Sequence, residues 1–174
     1  MTALEDRGPI QTCAKLKEAA RVMPPYLDFI TKPTLFGGEA SVMTVLGGTK
    51  ELDGKLAGEF PGRVVIIDAQ CQTHTSYFGI RQMDAAHAGK VVAVIVFGAI
   101  CGVINLKKAP IPLIALGKTP RMAPDHFGSL IRHRIQTDIG VIQDDGIPGK
   151  GDYVVGSENG LVVARTRLYL RAFE

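Results

Sequence analysis

The chain has 174 residues, of which 46% are hydrophobic and 21% are charged, and its formal net charge is +3 at pH 7. This length accommodates one domain with a substantial core, the composition excludes a disordered chain, and the small, mixed charge does not indicate nucleic-acid binding. Three cysteines without a CxxC pair argue against a secreted disulfide framework. The first residues lack the order of a secretory signal, and no apolar run approaches membrane-spanning length. We therefore expect a cytoplasmic protein that does not enter a membrane.

The N-terminal part predicts a helix, a strand and a second helix. Apolar residues recur at helical spacing over residues 12–22, and Pro24-Pro25 ends the pattern. Residues 34–46 contain a Gly37-Gly38 turn followed by the alternating apolar residues of a strand. Residues 52–60 are predicted to form a short helix.

The central part predicts a strand, a helix and a second strand. Residues 63–68 form a β-branched apolar run, closed by Asp68, that is typical of a strand buried on both faces. Residues 74–88 carry helical spacing, which Gly89 ends, and residues 91–97 form a second buried strand. Because the links are short, the two strands should be parallel neighbours joined by a crossover helix. The predicted fold class is therefore α/β.

The remaining part is predicted to be richer in strands. A short helix over residues 103–108 precedes an apolar strand over residues 110–116. Pro110 and Pro112 in this strand indicate a position near a sheet edge. Three further strands, separated by glycines as in hairpins, are predicted at residues 139–143, 153–156 and 161–164.

Several short motifs in this order resemble the regulator of ribonuclease activity A (RraA) family. They are Phe36-Gly37-Gly38 before a strand, Gly62 to Asp68, Val96-Phe97-Gly98-Ala99, Thr119-Pro120-Arg121, and Gly151-Asp152 with Asn159-Gly160 eight residues on. The likeness spans about residues 35–164, and the ordered combination carries it because each motif alone is common. We expect a single RraA-like domain over residues 1–174, with an N-terminal helix and linker over 1–33, the family core over 34–164 and a C-terminal tail over 165–174.

The resemblance implies a swivelling β/β/α domain assembled as a ring-shaped trimer, which some members pair into hexamers. The family contains protein-binding regulators of RNA-degrading machinery. It also contains metal-dependent class II aldolases that cleave 4-hydroxy-4-methyl-2-oxoglutarate and related oxo-acids. Many members carry the older name demethylmenaquinone methyltransferase, but no Gly-rich loop typical of S-adenosylmethionine binding is present here.

The residues at the family's catalytic positions do not support the aldolase reaction. Active members carry an Arg-Asp pair after a Gly-Ala-Val turn, with another acidic residue three positions beyond the Asp. After Gly98 this chain has Cys101 at the Arg position, Gly102 at the metal-binding Asp position and Asn105 at the later acidic position. The Arg that stabilises the enolate and the carboxylate that holds the metal are therefore both missing.

The second part of the family's pocket is altered as well. Gly79 matches the glycine that contacts substrate through its backbone, but Ile80 stands where an acidic residue normally follows. Neither Ile80 nor Gly102 offers the side-chain oxygen that Mg²⁺ or Mn²⁺ would require. We therefore expect no cofactor and no metal, with Gly79, Ile80 and the adjacent Arg81 as parts of a vestigial pocket.

A substitute site is one alternative, since Arg81 is next to Ile80 and Cys71, His74 and Cys101 follow strand ends where ligands often bind. A thiol and imidazole cluster would prefer a softer metal such as zinc, or would form a nucleophile pair. However, a Cys after an apolar strand is more often a small buried hydrophobe, and a His at a helix start more often caps the helix or faces solvent. We therefore assign no catalytic residue.

The densest basic run, residues 118–134, contains no aromatic residue apart from Phe127, which favours a solvated face over an RNA-binding surface. The first hypothesis is therefore a non-catalytic, RraA-like homotrimer that binds other proteins, in RNA-processing machinery. The alternative is a divergent oxo-acid aldolase or decarboxylase that uses Mg²⁺ or Mn²⁺. Its site would be rebuilt from Arg81, Asp68, His74 or acidic groups of a neighbouring subunit.

Overall fold

The computed structural model describes residues 8–23, 25–32, 34–125, 129–131 and 152–173. Its helices are α1 (Pro9–Leu16), α2 (Lys50–Gly58), α3 (Ile80–Ala88), α4 (Val103–Leu106) and α5 (Thr166–Phe173), with a 3₁₀ turn at Lys17–Ala19. Its strands are β1 (Arg21–Val22), β2 (Asp28–Phe29), β3 (Phe36–Leu46), β4 (Val64–Asp68), β5 (Ser76–Phe78), β6 (Ala93–Ile100), β7 (Leu113–Lys118), β8 (Ser129–Ile131), β9 (Asp152–Ser157) and β10 (Gly160–Arg165). In the part of the chain described, no helix is long and apolar enough to cross a membrane.

All described strands join one mixed sheet. Its main path is β1-β10-β9-β3-β4-β6-β7-β2, while β5 pairs with β6 and β8 pairs with β3. The neighbours in the segment β3-β4-β6-β7 are parallel, and the flanking pairs are antiparallel. The long strand β3 belongs to both parts, because its first residues pair with β9 and its later residues pair with β4.

The predicted strand, helix and strand unit at the centre is confirmed. Every residue of β4 and β6 is buried, as expected for strands that are covered on both faces. The two strands are parallel neighbours, with Val64 opposite Ala93 and Asp68 opposite Phe97, and α3 lies between them in the chain. The α/β fold class predicted from the sequence is therefore correct.

The sheet separates two hydrophobic clusters. Side chains alternate between the two faces along β4, so Val65 and Ile67 lie in one cluster and Val64 and Ile66 lie in the other. The first cluster is completed by buried residues of the helices α2 and α3, namely Leu52, Leu56, Met83 and Ala86. The second is completed by residues of β3 and of the β9–β10 hairpin, namely Phe36, Ala40, Val154, Leu161 and Val163. The helices α2 and α3 thus cover the face of the sheet that carries the first cluster, and the N-terminus of α3 lies on that face.

The predicted Gly37-Gly38 turn is wrong, because both glycines lie inside β3. A Cβ at Gly38 would be 3.2 Å from the carbonyl oxygen of Gly62, and one at Gly37 would be 3.1 Å from the Tyr153 ring. These glycines therefore allow close packing along a strand rather than a reversal of the chain.

Two predicted helices differ in extent from the observed ones. The N-terminal helix was predicted over residues 12–22, but α1 begins at Pro9 and ends at Leu16, and β1 pairs with β10. The helix predicted over residues 74–88 begins only at Ile80, because Ser76–Phe78 forms β5 beside β6. In both segments the pairing with a distant strand overrides local helical periodicity.

The strand predicted over residues 110–116 is observed as β7, which begins later, at Leu113. The β9–β10 hairpin is confirmed, with Ser157 opposite Gly160 at its turn. The C-terminal helix α5 was not predicted. The predicted strand over residues 139–143 and part of the basic run over residues 118–134 lie outside the described residues.

Candidate functional site

A cleft of about 270 Å³ lies beside the N-terminus of α3, near the end of β6. Its walls are mainly apolar. The residues that line it are Thr49, Gly79, Ile80, Arg81, Gln82, Cys101, Met122, Ala123 and Asp125. Of the residues predicted to form a vestigial pocket, the structure brings Gly79, Ile80, Arg81 and Cys101 together along this cleft.

Two hydrogen bonds hold the residues of the cleft between β5, α3 and the end of β6. The Cys101 amide donates to the carbonyl oxygen of Phe78 at 3.1 Å, and the Gly79 amide donates to Gln82 Oε1 at 3.0 Å. A Cβ at Gly79 would lie 3.3 Å from Cys101 Sγ, so a larger residue there would press on the thiol. The small size of Gly79 therefore allows Cys101 to lie against the start of α3.

The cationic group of the cleft, Arg81, is held by two carboxylates. Its Nε lies 2.7 Å from Asp53 Oδ2, and its two terminal nitrogens donate to the Asp125 carboxylate at 2.8 and 2.9 Å. A third bond joins Nη2 to Thr49 Oγ1 at 3.3 Å. Hydrogen bonding to Asp125, together with the charges of both carboxylates, raises the pKa of Arg81. The positive charge of Arg81 is thus compensated inside the cleft.

A further hydrogen bond fixes the position of Asp53. Gln82 is fully buried, and its Nε2 donates to Asp53 Oδ1 at 2.7 Å, so one carboxylate on α2 is held by a hydrogen bond from Gln82 and by the ion pair with Arg81, two consecutive residues of α3. Asp53, Asp125 and Thr49 were not predicted as site residues from the sequence. Arg81 and Asp125 are 44 residues apart, and no local spacing pattern connects them.

The turn after β6 carries no acidic side chain at Cys101 or Gly102 and includes a left-handed glycine. Gly102 has φ 74° and ψ 33°, the left-handed conformation that favours glycine. Asn105 is exposed on α4 and does not line the cleft. Gly98 lies within β6 against Ala69, where an added Cβ would approach the Ala69 Cβ to 2.7 Å. Cys101 Sγ donates to Met122 Sδ at 3.2 Å.

The suggested substitute residues Cys71 and His74 do not line the cleft. His74 is exposed, and its backbone oxygen accepts a hydrogen bond from Thr119 Oγ1 at 3.2 Å. Cys71 is half-buried in a left-handed turn, and its amide donates to the carbonyl oxygen of Phe97. Among the described residues, no group of three or more His, Cys, Asp or Glu side chains is arranged to hold a metal ion.

The described residues around the cleft do not fit the divalent cation that the family's aldolases require. A hard cation needs several oxygen ligands, whereas both carboxylates beside the cleft are engaged by the Arg81 guanidinium. Asp68, the acidic residue at the end of β4, is buried away from the cleft with 1% of its surface exposed. It accepts hydrogen bonds from the Gln70 amide at 2.8 Å and from Thr44 Oγ1 at 3.3 Å, and burial raises its pKa.

The parallel sheet centre, the antiparallel hairpin that extends it and the cleft at the α3 N-terminus define a mixed α/β protein of the kind the resemblance implies. The model of the RraA-like family described as Aldolase/RraA matches residues 7–163, and the chain belongs to this family.

Similar proteins carry both kinds of name found in this family. A Vibrio cholerae protein provisionally named 4-hydroxy-4-methyl-2-oxoglutarate aldolase is 21% identical over 156 residues, which cover 90% of this chain and 93% of that protein. The RNA-processing inhibitor RraA from Thermus thermophilis is 21% identical, with a TM-score of 0.71 over 87% of this chain and 89% of that one. Streptomyces coelicolor RraAS2, described as an unusual member of the RNase ES inhibitor RraA protein family, is 18% identical, with a TM-score of 0.73 over 98% of this chain and 86% of that one. At these identities the similar structures establish the fold alone.

Proposed function

We propose that this chain is a non-catalytic member of the Aldolase/RraA family and acts by binding another protein, in RNA processing. The composition of the cleft carries this proposal. Cys101, Gly102 and Ile80 supply neither the Arg nor the oxygen ligands of the aldolase site. The nearby Arg81 is already paired with two carboxylates.

The reaction's requirements explain why this composition opposes catalysis. Cleavage or decarboxylation of an oxo-acid leaves an enolate, which a metal ion and a cationic side chain must stabilise where its charge develops. Both terminal nitrogens of Arg81 already donate to Asp125, and its Nε is ion-paired with Asp53, so a bidentate contact with a substrate carboxylate requires some of these interactions to break. The apolar side chains of Ile80 and Met122 border the same space and offer no hydrogen bond to an oxo-acid.

Exposed apolar side chains near the cleft support the protein-binding part of the proposal. Ile104 on α4 is 82% exposed, and Ile80 and Met122 at the cleft are 44% and 36% exposed. Ile80 and Met122 line the same cleft, and large apolar side chains that remain in contact with water side by side are typical of surfaces that another protein covers.

A chemical assay tests the non-catalytic part. Pyruvate release from oxaloacetate and from 4-hydroxy-4-methyl-2-oxoglutarate is measured with and without Mg²⁺ or Mn²⁺, alongside a metal-dependent decarboxylase as positive control. The expected rate equals that of metal ions in buffer without protein. Metal-stimulated release well above this background would contradict the proposal.

An RNA-cleavage assay tests the regulatory part of the proposal. The relatives named as inhibitors suggest a ribonuclease of the RNase ES type as the first partner to test. We expect the chain to slow RNA cleavage by such a ribonuclease and the variant Ile104→Glu to lose this effect. Glu158→Lys, an exposed charge reversal on the β9–β10 turn, is the matched control that should retain the effect. Equal inhibition by both variants would show that the surface around Ile104 is not the binding surface.

One observation favours the enzyme alternative, because the cleft does contain one guanidinium beside two carboxylates. Under this hypothesis Arg81 would bind the oxo-acid, and Asp53 or Asp125 would turn toward a metal ion. Metal-dependent turnover by the parent that Arg81→Met abolishes would support this alternative and assign substrate binding to Arg81. A parent that shows no turnover leaves only the non-catalytic proposal.

A further inference from the structure

We propose that Cys101 and Met122 form a site for one soft monovalent metal ion, Cu(I) or its redox-inert analogue Ag(I), in the wall of the cleft. Neither the family's aldolase chemistry nor the regulatory proposal uses this pair of sulfur atoms. The inference rests on the described positions of the two side chains and is independent of the proposed function.

The two sulfur atoms are already close together. Cys101 Sγ lies 3.2 Å from Met122 Sδ, although the residues belong to segments 21 positions apart. Backbone hydrogen bonds hold both segments, because the Cys101 amide donates to Phe78 and the residues that flank Met122 pair with Ser76. The distances of those flanking bonds are 2.8 Å from the Ser76 amide to the Arg121 oxygen and 2.7 Å from the Ala123 amide to the Ser76 oxygen.

An ion in solution can reach both sulfur atoms. Cys101 is half-buried, Met122 is 36% exposed, and both line the cleft. The fully buried methionines Met43 and Met83 contrast with Met122, because their thioethers are enclosed in the core. The positive charge of Arg81 does not oppose a cation there, since Asp53 and Asp125 compensate it.

The ligand types determine which metal fits. Thiolate and thioether sulfurs are soft ligands that select Cu(I), whereas Mg²⁺ requires oxygen ligands and structural Zn²⁺ requires four nitrogen or sulfur ligands. On binding, the Cys101 S–H bond gives its proton to the solvent, and the thiolate and the thioether each donate an electron pair to the metal ion. The metal keeps its oxidation state, so no oxidant or reductant takes part.

The geometry requires one movement, which the side chain of Met122 can make. Two metal–sulfur bonds of about 2.3 Å in a line would separate the sulfur atoms by about 4.6 Å, more than the observed contact. Met has three rotatable side-chain bonds and adapts to irregular spaces. Met122 can therefore swing outward into the cleft while Cys101 stays against Gly79.

A competition titration tests the site. The full-length, reduced chain is titrated with Cu(I) under anaerobic conditions against bathocuproine disulfonate, whose colour reports the metal it retains. We expect the parent to bind one Cu(I) ion tightly and Cys101→Ser to lose this binding. Met122→Leu keeps the side-chain size but removes the sulfur, and its affinity for Cu(I) should be about tenfold weaker or more. Cys71→Ser and Met23→Leu are the matched controls and should bind as the parent does. Parent-like affinity in Cys101→Ser or in Met122→Leu would overturn the proposal.

A spectroscopic measurement on the parent covers the case in which a variant fails to fold, and the same measurement on a folded variant extends the test. X-ray absorption of the Ag(I)-loaded chain should show two sulfur neighbours for each metal ion, and one in a folded Met122→Leu. Metal held by thiolates of two chains, or Zn²⁺ held as tightly through both sulfur atoms, would overturn the assignment of a soft monovalent ion.

Discussion

Gly102 has a left-handed backbone at a position where a side chain would meet no neighbour. Its φ is 74°, and a Cβ built there has no heavy atom within 4 Å. We expect Gly102→Ala to lower the free energy of unfolding by about 1 kcal/mol, because the left-handed conformation is sterically unfavourable for an L-residue that carries a Cβ. Urea unfolding followed by circular dichroism measures this change.

The matched control for Gly102 is Gly54, which lies in α2 and has equally open space around an added Cβ. Its backbone is helical, so Gly54→Ala should raise the free energy of unfolding by about 0.5–1 kcal/mol. Opposite signs are therefore expected for the same chemical change. Two variants that shift stability in the same direction would contradict the backbone explanation.

Asp68 gives the molecule a specific dependence of stability on pH. Burial raises its pKa above the ordinary value of 3.8, so the folded protein retains a proton over a range of pH in which the unfolded chain has released it. The contribution of Asp68 to the free energy of unfolding therefore falls as pH rises from about 4 through its folded pKa. In Asp68→Asn this part of the decline should disappear, as measured by denaturant unfolding at several pH values.

The comparison variant for Asp68 is Asp84→Asn, which changes an exposed carboxylate on α3. Its stability should follow the parent's profile across the same pH range. If Asp68→Asn and the parent decline equally with pH, the buried carboxyl does not cause the dependence.

Sequence reasoning could identify what the site lacks but not how its remaining groups are paired. Cys101, Gly102 and Ile80 were found because motif spacing fixes their positions in the chain. The partners of Arg81 were not predicted. Asp53 reaches it because α2 packs against α3, and Asp125 reaches it because the segment that precedes Asp125 pairs with Ser76. The contact between Cys101 and Met122 is invisible in the sequence for the same reason.

Helix α5 attaches the C-terminal end to the sheet through aromatic rings. Tyr169 is buried, and its ring stacks on that of Tyr153 in β9 with centroids 4.2 Å apart. Phe173 follows one turn later at 4.9 Å from Tyr169, and Lys15 Nζ from α1 lies 4.5 Å above its ring. This aromatic cluster joins both terminal helices to the β9–β10 hairpin.

Removal of the central ring of this cluster should be costly. We expect Tyr169→Ala to lower the free energy of unfolding by about 3 kcal/mol, because it removes a buried aromatic side chain and leaves a cavity. Tyr169→Phe keeps the stacked ring and should cost much less. Thermal melts measured side by side test this, and equal losses in the two variants would show that the ring itself does not stabilise the attachment.

At the level of elements, burial determined which predictions succeeded. The strands β4 and β6 were predicted because both faces are buried and their sequences are almost entirely apolar. The three-residue strand β5 was predicted as part of a helix, because its pairing with β6 leaves no strand pattern in the local sequence. Helix α5 was missed because its single buried residue, Tyr169, stands among exposed Arg and Leu side chains.

At the scale of the whole molecule we expect a homotrimer, the assembly implied by the family resemblance. Exposed apolar side chains that do not line the cleft, such as Val22 and Leu170, give a monomer apolar surface that association would remove from water. Light scattering at micromolar concentration should give three times the chain mass of 18.7 kDa, or six times if trimers pair. A monomer mass across a dilution series would exclude the ring.

The two halves of β3 must find their partners at different stages of protein synthesis. Residues 40–44 pair with β4, which follows closely in the chain, whereas Phe36–Glu39 pairs with β9, near the other end. A ribosome therefore releases the first half of β3 as an open strand edge and completes most of the chain before β9 can cover it. Such long-range pairing slows folding. A nascent chain that stalls before Asp152 therefore carries an unpaired strand edge along Phe36–Glu39, which is open to pairing with another chain.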